Sequence, residues 1–226
     1  MEFQLKFKVN HSLYLKDPEE STIGKAIISE AINLIFDIGF EQFNFKKLSQ
    51  EIKTTEATVY RYFASKQKLL LYIMSWYWQY LEFQTKMSVL NKNNAKEKLE
   101  LILEVITHNF SSDDSLLNID LDKLNSIVIS ESSKVYLVKE VDEINSEMAY
   151  HPLKNYCLYI SQIIKEFRPD YEFPNSLAST ILETSHDQQF FSEHLNKLTD
   201  NFEKKDHKLY VLKYLNHLLF DVLKNN

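Results

Sequence analysis

A helical fold is predicted for this 226-residue chain by three features. Only 2 glycines and 4 prolines interrupt a composition rich in Leu, Ile, Lys and Glu, residue types that lose little rotamer freedom on entering a helix. Apolar residues recur at three- and four-residue steps along most of the chain. The stretch NFKKLSQEIKTTEATVYRYFASKQKLL, residues 44–70, sets two short apolar-faced segments on either side of a polar break, which is the pattern of a helix-turn-helix. With 44% hydrophobic residues, the chain can bury a substantial core.

The elements follow in order. Phe3, Leu5, Phe7 and Val9 alternate with polar residues and read as an extended arm with no partner strand, expected to pack on the body or on a neighbouring subunit. Asp17 to Thr22 supplies turn and helix-start chemistry for a helix from Ile23 to Ile38, whose core face carries Ala31, Leu34, Ile35 and Ile38. Gly39 can end it by taking a positive φ, with Phe40 or Phe43 folding back as a plug. Asn44 can cap the next helix, buried through Phe45, Leu48 and Ile52. Lys53-Thr54-Thr55 breaks the period, and Thr54 or Thr55 can cap a second short helix from about Glu56 to Phe63. Two helices so joined can place the second in a DNA major groove, its first residues toward the base edges.

At these residues the chain resembles a known family. TVYRYFASKQKLL following LSQEIKTTEA, together with the Gly39-Phe40 turn, looks like the DNA-binding domain of the TetR family of bacterial transcription regulators, over about a quarter of the chain from Ile27 to near Trp76. The resemblance implies an all-α fold: an N-terminal three-helix helix-turn-helix domain followed by a helical ligand-sensing and dimerisation domain. On this reading residues 1–20 are an arm, 21–67 the DNA-binding domain and 68–226 the effector-binding and dimerisation body. Two departures stand out. Lys53 occupies a turn position where family members usually have glycine, and Asn44 replaces the usual capping threonine while keeping its role.

Candidate DNA contacts divide by chemistry. Thr55, Glu56, Ala57 and Thr58 open the recognition helix. Threonine can bond a base edge or meet a thymine methyl, alanine only the latter, and glutamate can accept from cytosine; simple capping by the threonines and solvent exposure of Glu56 are the competing readings. Tyr60, Arg61, Tyr62, Lys66 and, more weakly, Lys46 are candidates for phosphate contacts that set register. Net charge fits this split. The whole chain carries -6, yet residues 21–75 carry +2 and residues 76–226 carry -7, so the acidic body would be turned away from phosphates.

Beyond the reader, a helix is expected from Lys66 to Leu90 as a connector, with Leu69, Tyr72, Ile73, Trp76, Tyr80, Phe83 and Met87 on its apolar face. Further helices are expected over Ala95 to Phe110, Leu116 to Ile129, Val135 to Asn145, Pro152 to Phe167, Asn175 to Asn196 and Glu203 to Lys224. The apolar breadth of the last two suggests more burial than one chain supplies, and in the resembling family such helices pair into a homodimer. A dimer also suits a palindromic operator. Trp76, Tyr80, Phe110, Tyr136, Tyr156, Tyr159 and Phe190, with His108, Cys157 and His186 for polarity, are candidates to line a pocket for a small hydrophobic effector; ordinary core packing is the competing role for each.

Enzymatic chemistry finds no support, because His186, Asp187, Glu183 and His207 assemble neither a metal-ligand set nor a nucleophile with its base. No cofactor or metal is expected. A lone Cys157 excludes an intrachain disulfide and suits a reducing cytosol, and no secretory leader or long apolar run is evident, so a cytoplasmic protein without membrane attachment is expected. Two functions remain open: a ligand-responsive regulator, most often a repressor, and a helical protein-interaction module that has lost sequence-specific DNA binding.

Overall fold

Helices are the regular structure of the described residues, which in this computed structural model are 7–108, 119–203 and 206–224. In chain order they are α1 (Thr22–Gln42), α2 (Phe45–Glu51), α3 (Glu56–Tyr60), α4 (Lys66–Val89), α5 (Ala95–Ile106), α6 (Leu121–Glu131), α7 (Ser133–Tyr136), α8 (Val141–Ser146), α9 (His151–Phe167), α10 (Pro174–His194) and α11 (His207–Lys224). The fold is all-α, as the sequence predicts.

Compactness divides the chain differently from the expected single cut at 67/68. One unit comprises Met1–Trp78 with Ser112–Pro152, and the other Gln79–Ser111 with Leu153–Asn226. Helix α4 contributes to both. Every residue from Leu69 to Trp78 is buried, whereas Met87, expected on the apolar face, is exposed; in the last turns the buried positions are Thr85 and Val89.

In the first unit the N-terminal arm packs on its own unit. Val9 and Leu13 are buried, the Phe7 ring meets Trp76 edge-on at 5.2 Å, and Leu15 N–H donates to the Tyr62 carbonyl at 2.8 Å. Phe3 and Leu5 lie outside the described residues. Pro18–Glu20 forms a 3-10 turn against the start of α1, so close that a Cβ on Gly24 would sit 2.3 Å from the Pro18 carbonyl oxygen. Helix α1 runs past its expected end, but Gly39 (φ 74°) breaks its geometry within that span, and Phe40 and Phe43 are both buried behind it. The expected helix over Val135 to Asn145 is two short ones, α7 and α8.

In the second unit α5 packs on α11 and α10 pairs with α11. Lys98 bridges α5 to Glu166 of α9 at 2.8 Å, and Phe167 meets Phe220 at 5.7 Å. The α10–α11 connection is tied by Ser192, whose hydroxyl meets His207 Nδ1 at 2.7 Å and accepts from Asn201 Nδ2 at 2.8 Å. Helix α5 stops at Ile106 rather than Phe110, with His108 at φ 51°. The α11 stripe of Leu212, Leu215, Leu219 and Leu223 is buried within the chain itself. Outward positions are largely polar: Ser176, Ser179, Thr180, Glu183 and Asp187 on α10, and Lys213, Tyr214 and His217 on α11. On the same helix Leu209 and Tyr214 remain partly exposed.

Candidate nucleic-acid interface

The reader is built from capped short helices. Asn44 accepts from Lys47 N–H at 2.9 Å and starts α2. Leu48 is fully buried with Phe45, and Ile52 follows as the C-terminal cap. The chain then turns through Lys53, which adopts φ 52°. That is the left-handed region a glycine would occupy without strain, so the lysine tolerates what the sequence departure called into question. Thr54 N–H closes the turn on the Ser49 carbonyl at 2.8 Å.

Thr55 is the cap of α3, its hydroxyl accepting from Thr58 N–H at 3.2 Å. Thr58 Oγ1 lies 3.0 Å from Thr55 Oγ1 and accepts from the Arg61 guanidinium at 3.1 Å. Val59 and Phe63 are fully buried and fix the helix from beneath. Thr55, Glu56, Ala57 and Arg61 are exposed, Thr58 is half-buried, and Tyr60 is 48% exposed with its ring edge-on to Phe45 at 4.9 Å. They span α3 from its N-cap Thr55 to its C-cap Arg61. Lys46, on α2, is also exposed.

Two expected contacts have other work. Tyr62 is buried, and its hydroxyl lies 2.8 Å from Ser21 Oγ, the group that caps α1 by accepting from Gly24 N–H. Lys66 directs its ammonium to three carbonyl oxygens, Phe40 at 2.9 Å, Phe43 at 3.1 Å and Glu41 at 3.2 Å, and lies over the Phe40 ring at 4.6 Å. All three of its donors are thereby engaged. Both residues brace the reader rather than face outward. Their spacing matched the motif, but spacing carries no information on which side of the next helix they fall.

Sequence reasoning missed a further brace. Glu131, buried at the end of α6, accepts from Phe40 N–H at 3.1 Å through Oε1. Its other oxygen pairs with Lys134 at 2.8 Å, and Lys134 also reaches Glu41 at 3.0 Å. Burial alone would lower the lysine pKa; hydrogen bonds to the two carboxylates outweigh it and the net direction is up. The Lys134 hydrogen bond likewise lowers the Glu41 pKa. The N–H that Gly39 frees by breaking the helix is the one Glu131 takes. An acidic residue 91 positions away gives no local signal of this.

The effector candidates divide between the two units. Trp76 and Tyr136 belong to the first unit; Tyr80, His108, Tyr156, Cys157, Tyr159, His186 and Phe190 belong to the second, and Phe110 lies outside the described residues. Tyr136 accepts from Trp78 Nε1 at 2.6 Å, and fully buried Tyr156 meets Thr85 Oγ1 at 2.8 Å. Lys86 lies over Tyr159 at 5.3 Å, and Phe190 meets His194 at 4.8 Å. Burial drives the His186 pKa down to about 4, so it is neutral at physiological pH. Cys157 lines a groove of about 360 Å³ between α9 and α10 with Leu153, Leu158 and Leu182, and burial raises its thiol pKa. Among the described residues no group of three or more His, Cys, Asp or Glu can hold a metal ion, and no helix is long and apolar enough to cross a membrane.

A capped pair of short helices with an exposed α3 is the geometry of a helix-turn-helix. Residues 27–73 match the model of the tetR family of bacterial regulatory proteins. Similar folds occur in the fatty acid degradation regulator FadR from Bacillus halodurans (TM-score 0.64, 16% identity, 89% of this chain and 96% of that one). AibR, solved with isovaleryl coenzyme A and operator DNA, is similar at TM-score 0.58 and 18% identity over 87% and 97% of the two chains. The superantigen PfiT shares the fold at TM-score 0.61 and 14% identity over 93% and 100%. No curated protein matches the chain in sequence.

Proposed function

We propose that this chain is a ligand-responsive repressor that binds a palindromic operator as a homodimer and leaves it when a small effector binds. The observation that carries this reading is the outward surface of Thr55, Glu56, Ala57, Thr58, Tyr60 and Arg61 on a helix whose underside, Val59 and Phe63, is locked in the core. Thr55, Thr58 and Ala57 read base edges, Glu56 adds selectivity against phosphate-rich misalignment, and Arg61, Tyr60 and Lys46 hold the backbone. Residues 21–67 are the reading domain, and residues 68–226 supply effector binding and dimerisation. The fold of AibR, a chain solved with both an acyl coenzyme A and operator DNA, supports the pairing of the two activities. The homodimer is assigned to α10 and α11, with the partly exposed Leu209 and Tyr214 at the contact.

Because a superantigen shares this fold, the test must address DNA directly. Folded protein is passed over a randomised double-stranded DNA library at stated moderate salt, and the retained fraction is sequenced. Enrichment of one palindromic motif is the expected result and gives the half-site spacing. Retention of no selective DNA at moderate or low salt sinks the operator reading and favours a protein-interaction module.

A further inference from the structure

A groove of about 450 Å³ opens in the first unit between the beginning of α4 and the α7–α8 segment, within the size range of small-molecule sites. Its apolar lining comes from Leu70, Leu71, Val135, Val138 and Ile144. Its charged lining comes from Lys68, Lys134, Glu140, Glu143 and Glu147. The two lysines are already neutralised: Lys68 pairs with Glu147, and Lys134 is shared by Glu131 and Glu41. Glu140 and Glu143 have no ion-pair partner among the described residues, and the Glu140 side chain makes no capping bond to α8 although it stands at the cap position. The groove thus combines an apolar interior with two uncompensated carboxylates. An anion would be repelled there, and an uncharged apolar molecule would leave the carboxylates as they are.

We propose that this groove is an effector site for a small amphiphilic cation, an ammonium head at Glu140 and Glu143 with its hydrocarbon part against Leu70, Leu71 and Val138. The effector role rests on the repressor reading above; the binding does not. Its position supplies the coupling. Lys134 lines the groove and also holds Glu131, whose other oxygen fixes Phe40 N–H at the Gly39 break. Lys68, in the first turn of α4, lines it too. A ligand that displaces α7 from α4 pulls on the carboxylate that secures the α1–α2 corner of the reader. An equilibrium between gripping and released readers then shifts by the difference in ligand affinity for the two.

The test uses the full chain and three probes of equal tail length: n-octylammonium, n-octanoate and n-octanol, titrated calorimetrically below their aggregation limits. Octylammonium is expected to bind at least ten-fold more tightly than octanoate. The double substitution Glu140→Gln with Glu143→Gln, at two exposed positions, is expected to weaken octylammonium ten-fold or more and leave octanol unchanged. Val138→Arg, which sets a cation in the groove, is expected to do the same to octylammonium. Equal binding of all three probes, survival of the ammonium preference in the double variant, or no binding to folded wild-type protein each overturns the site. Once an operator has been selected, octylammonium is expected to lower its affinity several-fold for the wild type and not for the double variant; unchanged operator affinity overturns the effector role. Selection of an operator without ammonium binding would strike this inference and leave the repressor standing, and ammonium binding without any operator would do the reverse.

Discussion

The start of α3 and the α1–α2 corner lie within one small domain and handle polar groups in opposite ways. At α3, Thr55, Thr58 and Arg61 bond only one another and stay at the surface. At the corner, part-buried Lys66 from α4 and buried Glu131 from α6 converge on the backbone of Phe40 to Phe43. Polar groups that satisfy themselves locally remain available to a partner. Those that satisfy a broken helix end are spent on stability, since a buried backbone group without a partner is costly. The contrast separates the residues proposed to read DNA from those that brace them.

Lys66→Ala probes the contrast most severely. It leaves three carbonyls short of a charged donor, with an expected loss of about 3 kcal/mol, measured by urea denaturation; an unchanged midpoint would return Lys66 to the phosphate contacts. Glu131→Ala removes the Phe40 N–H acceptor and the partner of Lys134, for which about 2 kcal/mol is expected. The same denaturation series settles it, and Glu131→Gln should recover part of the loss by keeping an oxygen for the N–H. Tyr62→Phe deletes only the hydroxyl shared with Ser21 and should cost about 1 kcal/mol with operator affinity intact at a temperature where the variant is folded. A loss of affinity there would place the Tyr62 hydroxyl on DNA after all. Arg61→Ala stands at the other pole. Its stability is expected to move by less than about 0.5 kcal/mol, while operator affinity falls and the slope of log affinity against log salt becomes shallower by roughly one unit. An unaltered slope would assign Arg61 to solvent.

Turn chemistry was readable locally. Asn44, Thr55 and Gly39 act as their residue types dictate, because capping and positive φ depend on groups within three or four positions. Lys53 was the instructive departure: the turn imposes φ 52° on a residue that does not favour it, which shows tertiary packing of α2 and α3 overriding a local preference. Tyr62 was legible as part of a motif and illegible as a brace. Its neighbour Ser21 lies forty-one residues earlier, beyond any periodicity. The dimer argument meets the same boundary. A broad apolar stripe on α11 announces burial, yet the sequence does not say whether α5 and α10 of the same chain or a second copy provides the cover.

What the sequence alone determined is the helical class, the positions of the short reader helices and the residues at the start of α3, all consequences of spacing and capping over a few residues. Only the tertiary structure decided that Lys66 and Tyr62 turn inward, that Glu131 secures the break at Gly39, that the α11 stripe is satisfied within the chain, and that Glu140 and Glu143 share a groove with Leu70 and Leu71. These depend on which distant helix supplies the missing donor, acceptor or apolar face. The backbone groups freed at a helix end require a partner, but their chemistry leaves open where in the chain that partner comes from.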